Sequence, residues 1–285
     1  MSGPVTGADL GIPALPNLRD LGGHPTRDGG RVRSGLLYRS SDLTRLGEDD
    51  TLALARLDIR AVFDLRSDGE RELQPDRLPP GAAYVPLDVL RGSTEVSPAE
   101  LMRAFMDPVA AREVMGGERG YALWERQYRE FVRLDGARAG YGRLFADLAD
   151  TANRPALVHC TTGKDRTGWA AAALLLLLGV PEEVVMDDYL LSARYLEPVL
   201  RTALEALRAR GVDPELLAPI IAVRRDYLEA ALDEMRRRHG SIERYFDEGL
   251  GIGPATQQEL RTALVEPAAR SQPARPSAAL AEPRA

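Results

Sequence analysis

A ten-residue segment, residues 159–168, constrains the fold of this chain more than any other part of its sequence. It reads HCTTGKDRTG and lies between a short apolar run, Pro155 to Val158, and a strongly apolar stretch, Trp169 to Leu178. A short apolar run that ends at small residues is typical of a buried strand, whereas the longer stretch, rich in Ala and Leu, favours a helix. The segment is therefore predicted to be a loop that leaves a strand and enters a helix.

The spacing within this loop fits a binding site for a tetrahedral anion. Five residues separate Cys160 from Arg166, which lets the backbone N–H groups point inward while the helix aims its positive end at the same point. Gly163 can take backbone angles that other residues avoid. We therefore predict that the anion is bound by the loop residues Thr161, Thr162, Gly163 and Lys164.

The side chains of the loop suit nucleophilic chemistry on a phosphoryl group. The positive surroundings should favour the thiolate of Cys160, which is the nucleophilic form. Arg166 offers a planar fork that can hold two phosphoryl oxygens, and Thr167 can hydrogen-bond the sulfur when water attacks a thiophosphate. We expect His159 to hydrogen-bond the backbone near Cys160, the alternative being an ordinary core histidine. For the chain's one cysteine, the alternative is an inert buried side chain.

These residues resemble the H-C-x5-R-[ST] signature of cysteine-dependent tyrosine and dual-specificity phosphatases, and the GKDRTG half is similar to a bacterial branch of tyrosine/serine phosphatases. Four other segments resemble that branch, although Leu18 stands where it usually has Phe; they are Asn17–Gly23, Leu37–Ser41, Asp64–Ser67 and Asp188–Leu190. The resemblance implies a metal-independent phosphatase without a cofactor, acting through a phosphocysteine. Its substrates would carry phosphotyrosine, with phosphoserine, phosphothreonine and phosphoinositides as further candidates.

Two carboxylates are candidates for the acid that protonates the leaving group. Asp88 follows a predicted strand, and in the resembled family an Asp on a loop after a strand commonly has this role. Asp165 lies inside the loop, at a position also proposed for acid catalysis in myotubularin-like lipid phosphatases. We place Asp88 first because it can approach from the leaving-group side. The alternatives are a cap or surface carboxylate for Asp88, and an ion-pair partner of Lys164 or Arg19 for Asp165.

Other charged residues are expected to support the site. Lys164 is predicted to be a mobile charge at the rim, suited to acidic or multiply phosphorylated substrates, unless it is a solvated loop lysine. Asp64 and Arg66 are interpreted as structural bracing, and so are Arg19 and Asp20. Thr161 and Thr162 stand where the resembled enzymes often have aromatic or apolar residues, which leaves the depth of the pocket open.

Composition excludes several classes of protein. The chain has 285 residues, 44% of them hydrophobic, enough for one domain with a full core. A net charge of -6 gives no general attraction for nucleic acid or an anionic membrane, and a single cysteine excludes a disulfide framework. The N-terminus lacks the pattern of a conventional signal peptide. We therefore expect a cytoplasmic protein, with export by another route and the oligomeric state left open.

Alternating strand and helix patterns predict an α/β fold with a central, mainly parallel sheet flanked by helices. Residues 1–14 are expected to be a flexible N-terminus, 15–265 the phosphatase domain, and 266–285 a disordered tail with four prolines. The predicted strands are 36–39, 59–65, 82–87 and 155–158, and the predicted helices are 49–57, 97–106, 120–134, 139–148, 169–178, 181–195, 198–210, 214–238 and 241–248.

The helical C-terminal half is predicted to include a lid. Its pattern is divided into segments by Pro198, Gly211, Pro214 and Pro219, and in a mycobacterial member of the resembled branch a helical pair folds over the active site here. We expect part of Tyr195–Tyr227, within residues 195–240, to cover Cys160. The alternative is a set of ordinary outer helices.

Two other functions are compatible with parts of the sequence. A phosphate-binding pseudoenzyme would normally lack Cys160 or Arg166, and both are present. A rhodanese-like sulfurtransferase also uses a cysteine loop, but it does not need the following Arg-Thr-Gly. The complete set of Cys, Arg and Thr favours the phosphatase.

Overall fold

A five-stranded sheet lies at the centre of the computed structural model, which describes residues 10–93, 107–116, 118–209, 211 and 213–268. Its strands are β1 (Arg19–Asp20), β3 (Leu37–Ser40), β4 (Ala61–Asp64), β5 (Ala83–Pro86) and β6 (Ala156–His159). Their order across the sheet is β1-β3-β6-β4-β5. Strands β3, β6, β4 and β5 run parallel, and β1 pairs antiparallel with β3 at one edge. A second sheet pairs β2 (Arg31–Val32) with β7 (Val265–Glu266).

Helices cover both faces of the central sheet. They are α1 (Glu48–Ala55), α2 (Asp68–Leu73), α3 (Pro108–Met115), α4 (Glu118–Arg133), α5 (Asp135–Ala149), α6 (Arg166–Leu177), α7 (Glu182–Ala209), α8 (Ala218–Ile221), α9 (Arg225–His239), α10 (Ile242–Arg244) and α11 (Pro254–Leu264). Short 3-10 helices span Thr151–Asn153 and Pro214–Leu217, and a π-helix spans Tyr245–Gly249.

The middle strands are apolar on both sides because both faces of the sheet are covered. Val62 and Leu157 point into a smaller core with Leu54 of α1. Phe63 and Val158, one residue further along, point to the opposite face and join the main core around α6. Alternate residues of one strand therefore stabilise two cores, and the α/β fold predicted from the sequence is confirmed.

The four predicted strands and most of the predicted helices lie within a few residues of observed elements, whereas the predicted helix 97–106 falls outside the described residues. One correction concerns Pro198, which was predicted to separate two helices but lies inside the continuous helix α7. Proline removes one helical hydrogen bond. Leu196 and Leu207 are buried on either side of it, so packing holds the two halves in one helix.

A second correction concerns the predicted helix 214–238. The chain breaks at Ala222 and again at Arg224, where both residues have extended backbone angles, and α9 begins at Arg225. This break brings the backbone carbonyls of Ile220 and Ala222 to the predicted catalytic loop, as described below.

The ends of the domain extend slightly beyond the predicted limits. Glu266, the first residue of the predicted tail, pairs with Arg31 in the second sheet. Ile12, within the predicted flexible N-terminus, is buried in the smaller core. In the part of the chain that the structure describes, no helix has the length and apolar character needed to cross a membrane.

Candidate active site

The loop Cys160–Asp165 lies at the carboxyl edge of the central sheet. Strand β6 ends at His159, and α6 begins at Arg166. Ser40 and Asp64, the last residues of β3 and β4, are both in register with His159. Cys160 is almost completely buried, with 1% of its surface exposed. The predicted order of strand, loop and helix is therefore confirmed.

The carbonyl groups of the loop are bound from its outer side. Asn17 donates its side-chain amide to the carbonyl oxygens of Thr162 and Gly163, at 3.2 and 3.0 Å. Arg39 donates to the same Gly163 oxygen at 2.7 Å. Because a trans peptide directs its N–H away from its carbonyl, these contacts leave N–H groups of the loop free to turn inward. The arrangement fits the predicted anion-binding nest.

Glycine is required at position 163. Its φ is +66°, in the left-handed region that other residues avoid. A Cβ here would also lie 2.1 Å from the carbonyl oxygen of Ser40. The loop therefore packs directly on the end of β3, with no room for a side chain.

Glu70 holds one side chain of the loop, Thr161, and the first side chain of α6, Arg166. Its carboxylate accepts hydrogen bonds from both terminal nitrogens of Arg166, at 2.7 and 2.8 Å, and from the hydroxyl of Thr161 at 2.7 Å. Ser67 donates its backbone N–H and its hydroxyl to the same carboxylate. Burial alone would raise the pKa of Glu70, but the Arg166 guanidinium holds it well below its usual range.

Lys164 is buried, so its predicted position at the rim is wrong. Its ammonium donates to the carbonyl oxygens of Ile220 and Ala222, the latter at 2.9 Å. It also lies 3.6 Å from the carboxylate of Asp165. Burial lowers the pKa of Lys164. The break after α8 supplies the carbonyl groups that hold this side chain, and a direct contact with substrate stays a prediction.

The two candidate acids lie in different surroundings. Asp165 accepts hydrogen bonds from the hydroxyl of Tyr128 at 2.8 Å and from the indole N–H of Trp124 at 3.3 Å. Asp88 follows β5 at the same edge of the sheet and accepts one hydrogen bond from the backbone of Leu90, at 3.0 Å. This bond forms a local turn, and the role of Asp88 as the acid stays a prediction.

A buried ion network connects β1, β3 and α7 behind the loop. Asp188 accepts hydrogen bonds from Arg19 at 3.0 Å and from Arg39 at 2.9 Å. Burial would raise the pKa of Asp188, but the two guanidinium groups lower it to about 2. Arg39 also holds the loop, so this network connects α7 to the catalytic segment. The bracing role expected for Arg19 agrees with these contacts.

His159 belongs to a second buried cluster. Its Nδ1 lies 3.2 Å from the carbonyl oxygen of Cys160, as expected, and its Nε2 lies 3.2 Å from Asp76. Asp64, Asp76 and His159 have a spacing that could hold a metal ion. Arg66, however, donates to both carboxylates at 2.8 and 2.6 Å. The guanidinium already engages at least one oxygen of each carboxylate, so the cluster fits structural bracing better than a metal site.

The hydroxyl of Thr167 is buried without a hydrogen-bond partner among the described residues. The hydrogen bond from this hydroxyl to the sulfur of Cys160, expected when water attacks the thiophosphate, stays a prediction. The side chain of Thr162 is half-buried, and no described side chain forms a polar contact with it, in contrast to Thr161.

The sequence analysis missed three residues that hold the loop: Glu70, Arg39 and Tyr128. For Glu70 a signal was present, since Ser67 and Glu70 have the spacing of a helix capping box. That pattern predicts the start of α2 but not its contact with Arg166. Arg39 lies in the segment Leu37–Ser41, which resembles the phosphatase branch, but the segment does not reveal its contact with the loop. Tyr128 carries no local signal, because it reaches the loop from a separate element.

Comparisons with known proteins agree with this geometry. The sequence model of the tyrosine phosphatase family matches residues 10–266. The chain is 30% identical over 279 residues to the triple specificity protein phosphatase PtpB of Mycobacterium tuberculosis, covering 89% of this chain and 98% of that protein. It is 32% identical over 257 residues to a candidate tyrosine-protein phosphatase of Cupriavidus necator, covering 87% and 86%.

A tyrosine-protein phosphatase of Nostoc commune is 32% identical over 167 residues, which cover 58% of this chain and 51% of that protein. The match to the family model extends over both sheets and includes the loop Cys160–Asp165. The chain therefore belongs to the tyrosine phosphatase family, whose members hydrolyse phosphomonoesters through a cysteine nucleophile.

Proposed function

We propose that Cys160 is the nucleophile of this phosphatase. Its sulfur attacks the phosphorus of a phosphomonoester, and the bond from phosphorus to the leaving oxygen breaks. Water then attacks the phosphocysteine, releasing inorganic phosphate and regenerating the thiolate. The observation that carries this proposal is the geometry of the loop that follows Cys160. Asn17 and Arg39 bind the carbonyl oxygen of Gly163 on the outer side of this loop, which leaves N–H groups of the loop free to face an anion.

Arg166 is proposed to bind the phosphoryl oxygens. Glu70 holds both of its terminal nitrogens, which fixes the plane of the guanidinium. The edge that carries Nε is not engaged by Glu70 and can face the anion. A fixed guanidinium stabilises developing charge at a lower entropic cost than a mobile one.

Asp88 is proposed to give its proton to the leaving oxygen. It follows β5, and the backbone N–H of Leu87 donates to the carbonyl oxygen of Asp64 at 2.7 Å. This bond keeps the start of the Asp88 loop at the sheet edge where the loop Cys160–Asp165 begins. Asp165 is the alternative acid.

We propose phosphotyrosine as the principal substrate, with phosphoserine, phosphothreonine and phosphoinositides as further substrates. PtpB of M. tuberculosis, a relative over most of both chains, is named for triple specificity. Lys164 could contact an acidic substrate after it leaves the carbonyls of Ile220 and Ala222. The substrate range is tested with a panel of phosphopeptides and phosphoinositides.

The segment 195–223 is proposed to act as a lid over the loop. Leu207 and Leu217 form a small apolar cluster of their own, and Ile220 packs against both this cluster and the main core. Segments with few core contacts open at lower free energy than the core. Tyr227, by contrast, is fully buried in the main core, so the proposed lid ends before α9.

Turnover of p-nitrophenyl phosphate in the presence of EDTA tests the proposed mechanism. Wild-type protein should release nitrophenol without metal, and Cys160→Ser should bind vanadate but lose turnover by more than about a thousandfold. Activity of Cys160→Ser within tenfold of wild type would contradict the assignment. A wild-type protein that binds phosphate without turnover would be a binding module.

A further inference from the structure

The Asp88 loop, residues 87–93, is held at both of its ends. At its start, the backbone N–H of Leu87 donates to the last residue of β4. At its other end, the hydroxyl of Ser93 donates to the carboxylate of Glu130 on α4 at 2.6 Å, and Glu130 is itself buried. Binding at both ends of so short a loop restricts the conformations of the residues between them.

Between these ends, the loop packs on helix α5 through Val89. This side chain is fully buried, and it lies against the backbone of α5 at Gly140. A Cβ at position 140 would lie 2.7 Å from Cγ1 of Val89. One turn earlier, a Cβ at Gly136 would lie 2.4 Å from the carbonyl oxygen of Arg91. The loop therefore approaches α5 so closely that a side chain larger than that of glycine would displace it at either position.

The same helix also binds the catalytic segment, at the residue that follows Gly140. Tyr141 is fully buried, and its hydroxyl donates to the backbone carbonyl of Arg166 at 3.1 Å. Helix α5 therefore contacts both the Asp88 loop and the first residue of α6. Because Gly140 and Tyr141 are adjacent in one helix, the distance between the proposed acid and the catalytic loop depends on how closely Val89 approaches α5.

A local turn fixes the carboxylate of Asp88 within the loop. Its Oδ1 atom accepts a hydrogen bond from the backbone N–H of Leu90 at 3.0 Å. Val89 lies between these two residues, so its packing against α5 also holds the turn. A valine side chain has a restricted χ1 angle, and in a fully buried position it cannot readily rotate away from its neighbour.

We propose that Gly140 and Val89 are positioning residues, which hold Asp88 at a fixed distance from the catalytic loop before substrate binds. This inference rests on the proposed role of Asp88 as the acid. A general acid acts only within hydrogen-bond reach of the leaving oxygen, and a displacement of about 1 Å can lower a rate by about a hundredfold. A small shift at this contact should therefore impair protonation of the leaving group selectively.

The test measures kcat/KM for p-nitrophenyl phosphate, which has a good leaving group, and for benzyl phosphate, which has a poor one. Gly140→Ala should lower the value for benzyl phosphate by about ten- to a hundredfold and that for p-nitrophenyl phosphate by less than about threefold. Alanine favours a helix more than glycine does, so a weaker helix cannot cause the loss. Gly142→Ala is the matched control on the same helix, because its Cβ would instead lie 2.5 Å from the carbonyl oxygen of Leu250. Its ratio of the two kcat/KM values should match wild type.

A second substitution tests the contact itself. Apart from Cγ1 of Val89, the nearest atoms to a Cβ at position 140 lie at 3.7 and 3.8 Å, which are ordinary contact distances. Val89→Ala removes the methyl group that a new Cβ would strike. The double variant Gly140→Ala/Val89→Ala should therefore recover most of the benzyl phosphate activity that Gly140→Ala loses.

Three results would overturn the inference: unchanged kcat/KM values in Gly140→Ala, an equal loss for both substrates, or a double variant no more active on benzyl phosphate than Gly140→Ala. If Gly140→Ala does not fold, Gly136→Ala displaces the same loop at Arg91 and should show the same selective loss; the inference fails if it does not.

Asp88→Asn, measured in parallel, separates this inference from the proposed function. If Asp88→Asn leaves the ratio of the two kcat/KM values unchanged, the proposed acid is wrong, and the inference with it. A ratio that changes in Asp88→Asn but not in Gly140→Ala refutes only the positioning role. Absence of wild-type turnover would refute the phosphatase mechanism itself.

Discussion

Glu70 combines a structural and a functional contact in one carboxylate. Its bonds to Ser67 fix the first turn of α2, and its bonds to Thr161 and Arg166 fix one residue of the loop and the first residue of α6. The residues of the loop can be predicted from the sequence because they are contiguous. The partners that hold them cannot, because contacts such as Glu70 with Arg166, 96 positions apart, depend on the packing of separate elements.

Replacing Glu70 by Gln should lower kcat/KM by roughly ten- to a hundredfold, the loss expected when about 1.5–3 kcal/mol of charge-assisted hydrogen bonding is removed. The amide keeps the shape of the side chain but not its charge, so Arg166 would be less well fixed. Steady-state kinetics and vanadate affinity measure the effect. Glu72→Gln, an exposed position on the same helix, should behave as wild type. An increase in the activity of Glu70→Gln would mean that Glu70 blocks the site.

Asp88→Asn should flatten the basic limb of the pH–rate profile. It should reduce turnover of alkyl phosphates more than that of aryl phosphates, since a poor leaving group depends more on protonation. The measurement is kcat for both substrate classes across pH. The ranking of the two acids is wrong if Asp165→Asn shows this pattern and Asp88→Asn does not.

At the scale of elements, Asp188 connects β1 and β3 to α7. Two arginines on neighbouring strands share this carboxylate in a fully buried position. Arg19, Arg39 and Asp188 each lie in a segment that resembles the phosphatase branch. The sequence does not show that they contact one another, because the contact forms only when α7 packs across the sheet. The same reason explains the unpredicted break near Ala222, whose carbonyl is held by Lys164.

Asp188→Asn should lower the free energy of unfolding by about 3–5 kcal/mol, because it leaves two buried guanidinium groups without an anion. In wild type, a folded pKa of about 2 lies below the ordinary value of 3.8. The contribution of the ionised Asp188 to the free energy of unfolding is therefore complete above about pH 4 and is lost as pH falls toward 2. Urea denaturation at neutral and acidic pH measures both effects. The adjacent exposed Asp187→Asn is the control, and equal stabilities of the two variants would contradict the argument.

At the scale of the whole molecule, the sequence predicts the α/β class and the edge of the sheet that carries the site, since strand, loop and helix are encoded in one segment. It does not predict that α7 runs through Pro198, because burial of Leu196 and Leu207 compensates for the lost hydrogen bond. The short strands β2 and β7 were also missed, as two residues cannot show a periodic pattern.

The proposed lid is tested by Leu217→Ala, which removes a fully buried side chain from the small cluster with Leu207. A loosened lid should leave turnover of p-nitrophenyl phosphate intact and speed the inactivation of Cys160 by peroxide. Leu52→Ala, on an exposed face of α1, should change neither. The lid should be abandoned if peroxide inactivation is unchanged and hydrogen exchange shows α8 to be as protected as the core.

Cys160 is the one cysteine of the chain and has 1% of its surface exposed. Any thiol-specific label attached to the folded protein must therefore be on this sulfur, with no background from other positions. At low reagent concentration, the labelling rate is proportional to the fraction of molecules in which the sulfur is accessible. A simple alkylating reagent thus measures how often the catalytic loop is uncovered, in the native sequence and without an engineered reporter.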